Sequence, residues 1–516
     1  MPHPSSETAV PETVLRLAWL VGLLGVAICL GCAARGTSPG RPAPTMLPPL
    51  VVAEPVPSHS KLEAGLRARL DEAPPGESLR AIVDLTEQVD LSVLSRMLRE
   101  RPRSKSERRA AVIATLERVA DRQQARLRPE IERLKADGVI DYVRPVAIVN
   151  RLLVEASASG LLALAESPEV AAILPDWTSE RNGGRGESDS AESSAEIHES
   201  WAVSAMGIEA LWDRGLDGSG VVVATIDTGA YGEHEQLRER MLGEGRGWYD
   251  PVQARPTPYD SHGHGTSVLS VAVGSNPSGR VIGVAPGAQW AAALGNWKNF
   301  YSRWRMTEAA DWILRVARPD VLINAWSNDR SECSDFDLPF INAWKAAEIF
   351  VVFPAGNAGP DPASGEAPAS LTGTLPDGGP VFSVAALLPG GEVDPTSSRG
   401  PSRCGSQVFP SLAAPGANLP FAALGRPTAY AVGGGTSLAA GLVGGAAALI
   451  LQADPELSPA EVERILLETA RPLPPPNDPD TTGAGGVDLR SLPERTGAPP
   501  ATEWSSPKEQ RREVRP

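Results

Sequence analysis

Histidine, cysteine and surplus positive charge are all scarce in this sequence. Its 516 residues include six histidines and four cysteines, and its formal net charge is -15. A surface of that charge repels phosphate, so the composition argues against nucleic acid as a partner. Long apolar runs are scarce too, since residues 17–30 and 438–451 are both shorter than the roughly 18–20 residues that span a membrane comfortably. The second run is rich in glycine and alanine, which is typical of a helix packed closely beneath a sheet.

Glycine and proline are abundant, with 50 and 49 residues, and 42% of the chain is hydrophobic. So many turn-forming residues indicate numerous turns and some unstructured connections, while the hydrophobic fraction is sufficient for a core. The chain is longer than one ordinary core requires, so we expect two or three folded units joined by linkers.

Residues 1–32 have the pattern of an export signal. Arg16 precedes the apolar run at 17–30, and Gly31 and Cys32 follow it. A small residue followed by cysteine resembles the lipobox of bacterial lipoproteins, in which Cys32 would carry the lipid and anchor the protein at a membrane. Plain secretion and an uncleaved anchor are the alternatives. We therefore expect an exported protein, in the bacterial cell envelope or outside the cell.

Two cysteines remain once Cys29 and Cys32 are assigned to the signal. These are Cys333 and Cys404. An exported chain with two thiols most simply forms one disulfide, which we predict here. Two free buried cysteines are the alternative.

Changes in composition divide the rest of the chain into five segments. Residues 33–76 are rich in proline, serine and glycine and are predicted to be a disordered tether. Residues 77–178 alternate between strand and helix patterns, which indicates a smaller α+β domain. Residues 179–200 are acidic and almost without apolar content, so we expect a linker open to proteolysis. A large domain follows at 201–489, and residues 490–516 are predicted to be a disordered tail.

Periodicity predicts the main elements of both domains. In the smaller domain, the apolar spacing from Ser104 to Asp137 predicts a long helix. The large domain contains short continuous apolar runs at 221–226, 321–326, 349–355 and 381–387. Strands without polar alternation are covered on both faces, so these runs predict an α/β fold in which helices cover a mostly parallel sheet.

Three polar residues of the large domain stand where buried elements begin or end. Asp227 directly follows the run VVVATI, His264 begins an apolar helix, and Ser437 begins a helix rich in glycine and alanine. An imidazole can remove the proton of a serine hydroxyl, and a buried carboxylate fixes its tautomer and stabilises its cationic form. Asn357, in FPAGNAGP, follows a predicted strand, and its amide would donate to the resulting oxyanion, an effect worth about 3–4 kcal/mol.

These motifs resemble those of the subtilisin-like serine proteases, the subtilases, in which the order is also Asp, His, Ser. The resemblance covers residues 201–489 and includes DGSGVVVATIDTG, HGHGTSV, GVAPGA, PAGNAGP, SSRGPS, AAPGANL and GTSLAA. It implies a three-layer subtilisin-like domain and a serine endopeptidase that cleaves proteins or peptides through an acyl-enzyme. It assigns catalytic roles to Asp227, His264, Ser437 and Asn357. The chemistry requires no cofactor; relatives often bind structural calcium, but no loop here is distinctive enough to assign a calcium site.

Residues 77–178 resemble the inhibitory propeptide of the same family, in the longer form that accompanies bacillopeptidase F-like members. The resemblance implies a zymogen whose partner in cis is its own propeptide. The acidic linker at 179–200 would then be the processing region.

The sequence departs from the family pattern at several positions, among them Gly441 and Leu442 after GTSLAA, where the family usually has proline and histidine. Relatives of the bacillopeptidase F type have a substrate-binding strand like PDVINNSWG, whereas this sequence reads PDVLINAWSN, with Ala325 and Ser327. Because that strand contacts substrate mainly through its backbone, the change bears on specificity more than on catalysis. Glu348 replaces a glycine that usually precedes the oxyanion strand, and the resemblance does not indicate what this change does.

Two other functions are open at this point. The chain could be a protease-like binding protein without activity, although the intact triad argues against it. Alternatively, His262 and His264 could bind a metal in a different hydrolase, which requires further ligands, and only His234 is nearby. The resemblance instead makes His262 a solvated loop residue and His234 a packing residue.

Overall fold

The computed structural model describes most of the chain between residues 49 and 492. The described ranges are 49–54, 57–74, 76–176, 178–180, 200–275, 281–298, 300–327, 333–371, 379–405, 407–474 and 478–492. The predicted export signal with Cys32, most of the acidic linker and most of the predicted tail lie outside the described residues.

The amino-terminal region is the smaller α+β domain that the sequence predicts. Its sheet is antiparallel in the order β4-β5-β2-β6, and helix α3 covers one face of it. Helix α3 is the predicted long helix, and Ser104 and Glu107 close its first turn with reciprocal side-chain to backbone hydrogen bonds. The elements of this region are β1 (Leu50–Val52), α1 (Ala64–Glu72), β2 (Leu79–Leu85), β3 (Glu87–Val89), α2 (Leu91–Arg99), α3 (Lys105–Ala136), β4 (Ile140–Val146), β5 (Arg151–Ala156), α4 (Ala158–Glu166), β6 (Val170–Pro175) and β7 (Thr178–Glu180).

Part of the segment predicted as a tether is folded. Strand β1 pairs with β3, and Leu62 forms a bridge with Ile173 of β6. Leu66, one turn further along, is fully buried in helix α1. The high proline and serine content concealed these two leucines, of which Leu62 pairs with the sheet and Leu66 packs on it from α1. The smaller domain therefore includes residues well before 77.

The large domain contains the remaining helices and strands. They are α5 (Trp201–Ala205), α6 (Glu209–Trp212), β8 (Val222–Asp227), β9 (Trp248–Tyr249), α7 (His264–Val273), β10 (Gln289–Leu294), β11 (Phe300–Ser302), α8 (Arg303–Trp312), β12 (Val321–Ile323), α9 (Leu338–Ala346), β13 (Phe350–Pro354), β14 (Ser383–Leu387), β15 (Leu412–Pro415), β16 (Leu419–Ala422), β17 (Tyr430–Gly433), α10 (Thr436–Ala453), α11 (Pro459–Thr469) and α12 (Pro479–Thr482).

The main sheet is parallel and lies between two layers of helices. Its seven strands follow the order β15-β14-β13-β12-β8-β10-β9, and the pairs between them are parallel. Alternate residues of each strand enter different cores. Val223 of β8 packs with helices α7 and α10, whereas Ala224 and Ile226 pack with α8 and α9. The structure thus confirms the predicted three-layer α/β fold.

Helix α10 runs through the centre of one core. Among the described residues it is the helix that is long and apolar enough to cross a membrane, and 89% of its apolar window is buried. That burial is the property of a core helix. Its glycine and alanine content lets it lie close to the sheet: a Cβ on Gly444 would come within 2.5 Å of the Ile323 side chain.

The two domains share a core. Ile82 and Leu153, on the outer face of the smaller sheet, pack in the same cluster as Trp304 of α8 and Phe340 of α9. Strand β7, at the end of the smaller domain, pairs antiparallel with β11 of the large domain. The smaller domain therefore covers the layer of helices α8 and α9 and continues into an added strand.

Candidate active site

Asp227 is the last residue of β8 and lies at the carboxyl edge of the main sheet. Its side chain is fully buried. Its backbone carbonyl accepts hydrogen bonds from the N–H groups of Gly295 and Asn296, which follow the neighbouring strand β10. These bonds fix the end of β8 against the turn after β10, and with it the position of the carboxylate.

His264 is the first residue of α7, and its imidazole reaches the Asp227 carboxylate. Nδ1 of His264 lies 2.6 Å from Oδ1 of Asp227, and both side chains are buried. Because a carboxylate only accepts, Nδ1 carries the proton, and the lone pair of the neutral imidazole is on Nε2. Gly265 permits this approach, since a Cβ there would lie 2.2 Å from the carbonyl oxygen of Gly229.

Asp260 organises the start of helix α7, a role that the sequence reasoning missed. Its Oδ1 accepts from the Thr228 hydroxyl at 2.8 Å and from the N–H of Gly263 at 2.7 Å. Its Oδ2 accepts from the N–H and the hydroxyl of Thr266, at 2.8 and 2.6 Å. This carboxylate thus satisfies N–H groups that a helix start leaves without partners, and it connects α7 to the residue after Asp227. The signal in the sequence is an acidic residue a few positions before a helix.

Ser437 is the second residue of α10 and is 3% exposed. Gly435 precedes the helix with a φ of 135°, a backbone conformation that favours glycine. In the first turn of a helix the backbone N–H groups have no partner within the helix. The Ser437 hydroxyl and the Ser437 backbone N–H therefore both lie in the first turn of α10.

Helix α10, which carries Ser437, packs parallel to helix α7, which carries His264. One turn after the serine, a Cβ on Gly441 would lie 2.8 Å from the carbonyl oxygen of Val268, which is one turn after the histidine. One turn further, a Cβ on Gly445 would lie 2.7 Å from the carbonyl oxygen of Ala272. Because the offsets are equal, the first turns of the two helices lie at the same level. The packing therefore places the start of the serine helix beside the start of the histidine helix.

Asn357 lies beside the start of the serine helix. It follows β13, and its Oδ1 accepts from the N–H and the hydroxyl of Thr436, at 3.0 and 2.9 Å. These bonds commit the amide oxygen to Thr436, so Nδ2 is the group that can donate to a ligand. A Cβ on Gly435 would lie 3.5 Å from that Nδ2. The absence of a side chain at 435 thus keeps the amide accessible.

The other two histidines of this region lie apart from this arrangement. His262 is exposed. His234 is fully buried, with Nε2 2.7 Å from the carbonyl oxygen of Ala429 and with Nδ1 accepting from the N–H of Gln236. Burial is the main cause that lowers the pKa of His234 below its ordinary value, against the opposing effect of the bond to Ala429. Within the described ranges, the structure contains no group of three or more histidine, cysteine or acidic side chains that could hold a metal ion.

Cys333 and Cys404 are joined in a disulfide in the structure, with their Cα atoms 5.4 Å apart. Cys404 forms a bridge with Leu371, and the Ser370 hydroxyl lies 3.8 Å from its sulfur. The disulfide thus connects the chain near residue 333 with the segment around 370 and 404.

Comparison with known proteins identifies the large domain. The model of the family described as the Subtilase family matches residues 218–487. Bacillopeptidase F of Bacillus subtilis (strain 168) is 31% identical over 405 residues, which are 73% of this chain and 28% of that protein. This match is longer than the family model's, so the similarity extends beyond the large domain.

Two further relatives show the same similarity over shorter stretches. Serine protease AprX of Bacillus subtilis (strain 168) is 31% identical over 304 residues, which are 54% of this chain and 66% of the relative. Subtilisin Savinase of Lederbergia lenta is 28% identical over 275 residues, which are 53% and 91%. The chain thus spans less than two thirds of the length of bacillopeptidase F and AprX. These comparisons confirm the resemblance on which the sequence prediction depends.

Proposed function

Because this chain belongs to the subtilase family, we propose that it is an exported serine endopeptidase, made as a zymogen that its own amino-terminal domain inhibits. The observation that carries the proposal is the hydrogen bond between His264 Nδ1 and Asp227 Oδ1. Helix α7, which carries His264, packs parallel to helix α10, which carries Ser437. The arrangement matches what peptide hydrolysis by an acyl-enzyme requires.

The first half of the reaction forms the acyl-enzyme. Ser437 Oγ attacks the carbonyl carbon of the scissile bond while His264 Nε2 takes the hydroxyl proton. Asp227 accepts from Nδ1 throughout and stabilises the imidazolium that forms. The imidazolium then gives its proton to the leaving amine as the C–N bond breaks. In the second half, water replaces the amine and the same proton transfers run again, which regenerates the serine.

The oxyanion of each tetrahedral intermediate requires donors that are already in place. Asn357 Nδ2 and the backbone N–H of Ser437 fit this role, since Thr436 fixes the asparagine and α10 fixes the N–H. Removal of one such donor costs about 3–4 kcal/mol of transition-state stabilisation. The positive end of the helix dipole acts in the same direction. The reaction as proposed uses no cofactor.

The zymogen proposal is supported by the pairing of β7 with β11. Residues 178–180 lie antiparallel to residues 300–302, as an extended peptide adds to a sheet edge. The end of β11 nearer residue 297 adjoins the loop before His264, because the N–H of Lys298 donates to the Ser261 hydroxyl at 3.1 Å. A strand of the smaller domain therefore lies along the approach that a substrate would use.

Export and lipid attachment are proposed from the sequence of residues 1–32, with Cys32 as the lipidated residue. The anchor is tested by metabolic labelling with a fatty acid in a bacterial host. Label on the wild type but not on Cys32→Ser supports it, and label on neither contradicts it.

The proposed activity is tested by self-processing. Residues 33–516 are expressed with and without Ser437→Ala, and the products are analysed by mass spectrometry. We expect cleavage within 181–200 in the wild type only, because the variant lacks the nucleophile. A fluorophosphonate probe should label the processed wild type at Ser437.

Two outcomes would contradict the proposal. A processed wild-type protein that resists the probe would indicate an inactive, protease-like binding protein. Activity that survives Ser437→Ala but is lost with a chelator would indicate metal chemistry instead.

A further inference from the structure

The junction of β11 and α8 in the large domain holds a carboxylate that comes from the smaller domain. Oδ1 of Asp176 accepts from the Ser302 hydroxyl at 2.9 Å and from the backbone N–H of Trp304 at 3.1 Å. Ser302 is 1% exposed, and its hydroxyl oxygen also accepts from the N–H of Arg305 at 3.2 Å. The hydroxyl group thus closes the first turn of α8 and donates its own proton to Asp176.

This junction favours a negative charge for two reasons. The N–H of Trp304 is one of the groups that a helix start leaves without a partner in the helix, and the positive end of the helix dipole lies here. Arg305 adds a full positive charge: burial lowers the pKa of its guanidinium, and the Asp176 carboxylate is the largest influence that opposes this lowering. Nη2 of Arg305 donates to the carbonyl oxygen of Phe300 at 3.1 Å, which holds the guanidinium against β11. We call Ser302, the Trp304 N–H and Arg305 the acid subsite.

Asp176 reaches the acid subsite at the start of an extended peptide that lies along β11. Two residues after it, Thr178 pairs with Ser302, and Glu180 pairs with Phe300. The Phe300 end of β11 adjoins the loop before His264, so the peptide runs toward the triad as its residue number rises. A substrate that pairs with β11 in this direction therefore brings its own residue of the same register to the acid subsite.

The acid subsite stays with the large domain when the chain is cut after Asp176 and the smaller domain leaves. Its arginine and its helix start then lack the anion that they have in the uncut chain. An aspartate of a substrate restores a charge-assisted hydrogen bond and the favourable interaction with the helix dipole. A neutral side chain gains less, and a cationic one is repelled by Arg305.

We propose that the acid subsite is a substrate-binding site that selects aspartate two residues before the substrate residue that pairs with Ser302. The inference rests on the proposed function and adds a feature of its substrates, which is an acidic side chain ahead of the bond that is cut. The acid subsite determines specificity and does not touch the reacting atoms. Asp176 occupies it in the uncut chain, so the smaller domain and a substrate compete for the same donors.

The test uses peptides with the sequence of residues 172–190, which include Asp176 and the segment that follows it. One peptide keeps the aspartate, and two others have asparagine or lysine in its place. In a fourth, asparagine replaces the aspartate and aspartate replaces Pro175, so that the net charge is kept and the carboxylate is moved by one residue. The enzyme is activated from the full chain, separated from its smaller domain and titrated with a fluorophosphonate, and mass spectrometry identifies the bond that is cut.

We expect kcat/KM for the aspartate peptide to exceed that for the asparagine peptide by about 10-fold, as for the loss of one charge-assisted hydrogen bond. The lysine peptide should be cut more slowly still. The peptide with the moved aspartate should resemble the asparagine peptide, because a shift of one residue turns the side chain to the other face of an extended strand.

Variants of the acid subsite connect this preference to the structure. Ser302→Ala and Arg305→Met should each reduce the ratio of the aspartate rate to the asparagine rate, and the double variant should abolish the preference. Because the ratio compares two peptides on one enzyme, it does not depend on how much of a variant folds. Ser219→Ala and Arg238→Met, at exposed positions of the same domain, are the matched controls and should keep the wild-type ratio.

Three results would overturn this inference and leave the proposed function intact. These are equal rates for the aspartate and asparagine peptides, an equal rate for the peptide with the moved aspartate, and a preference that survives in the double variant. The second result would indicate a general attraction of acidic peptides. A wild-type enzyme that neither labels with the probe nor cuts any of the four peptides would contradict the proposed function itself.

Discussion

Two carboxylates, Asp227 and Asp260, hold His264 of the candidate site in place, and they differ in how far the sequence revealed them. Asp227 could be predicted because it ends a continuous apolar run, which marks the carboxyl edge of a buried strand. Asp260 could not, because its role depends on a hydrogen bond from Thr228, which is remote in the sequence. It does not belong to a run with its own periodicity. The residues that react were therefore easier to predict than the residues that position them.

Asp260 yields a prediction at this scale. Asp260→Asn replaces one accepting oxygen by a donor and so breaks bonds at the start of α7, which shifts His264 relative to Ser437. We expect kcat to fall by about 10- to 100-fold with KM nearly unchanged, because misplacement of a reacting group acts in the transition state. Steady-state kinetics over a range of pH measures it, since a displaced imidazole also changes the pH profile.

The control for this variant is Asp213→Asn, at an exposed position of the same domain. It should leave kcat and the pH profile unchanged. A loss of thermal stability in Asp260→Asn with unaltered kcat per titrated active site would show that Asp260 is structural only.

Among the elements, those with continuous apolar runs were predicted and short ones were not. Runs 221–226, 349–355 and 381–387 correspond to β8, β13 and β14. The run at 321–326 is longer than β12 (Val321–Ile323), although the N–H of Asn324 still donates to the carbonyl oxygen of Val352 in β13. The short strand β11 has no such run, because its pairing with β7 depends on a segment far away in the sequence. Local pattern therefore predicts the layers of this fold better than its edges.

The packing of α7 against α10 yields a prediction for Gly441. Exposed glycine to alanine changes within helices usually stabilise by about 0.5–1 kcal/mol. At Gly441 the new methyl group would lie 2.8 Å from the backbone oxygen of Val268, so the helices must separate. We expect Gly441→Ala to destabilise by about 1–3 kcal/mol and to lower kcat, since the serine and histidine move apart. Denaturant unfolding in the Ser437→Ala background measures the first effect without self-digestion.

Gly65 is the matched control for Gly441. It is exposed in helix α1, and a Cβ there would meet nothing within 4 Å. Gly65→Ala should be neutral or slightly stabilising. Equal changes in the free energy of unfolding at the two positions would show that α7 and α10 have room for the added methyl group.

At the scale of the whole molecule, the smaller domain contacts the large domain at a further place, besides the groove and the core shared with α8 and α9. The N-terminal half of α3 contacts the edge of the main sheet that lies opposite the triad. Arg108 pairs with Glu348 at 2.8 Å, and Arg109 pairs with Asp320 at 3.1 Å. Arg109 also donates to the carbonyl oxygens of Ala347 and Glu348. This edge carries the amino ends of β12 and β13, so these contacts are remote from the triad.

Glu348 has a structural role that the sequence did not reveal. The family resemblance predicts a glycine at this position, and the φ of 62° that Glu348 adopts is one that favours glycine. Its side chain is 3% exposed and is paired with Arg108 of the smaller domain. A buried carboxylate without such a partner is costly, so Glu348 favours the state in which the smaller domain is bound. The position therefore depends on an interdomain contact, which no local pattern reveals.

These contacts predict how long inhibition lasts after the chain is cut. In the full chain, Arg108→Ala with Arg109→Ala should leave the first cleavage unchanged, because the groove is untouched, but should release the smaller domain about 10- to 100-fold faster. The interval between cleavage, followed by gel electrophoresis, and the rise of peptidase activity should shorten accordingly. Exposed Arg118 of the same helix serves as control, and Arg118→Ala should keep the wild-type interval. If the double variant also keeps it, the groove strand and the core shared with α8 and α9 hold the inhibited state, and the edge contacts serve only to fold the zymogen.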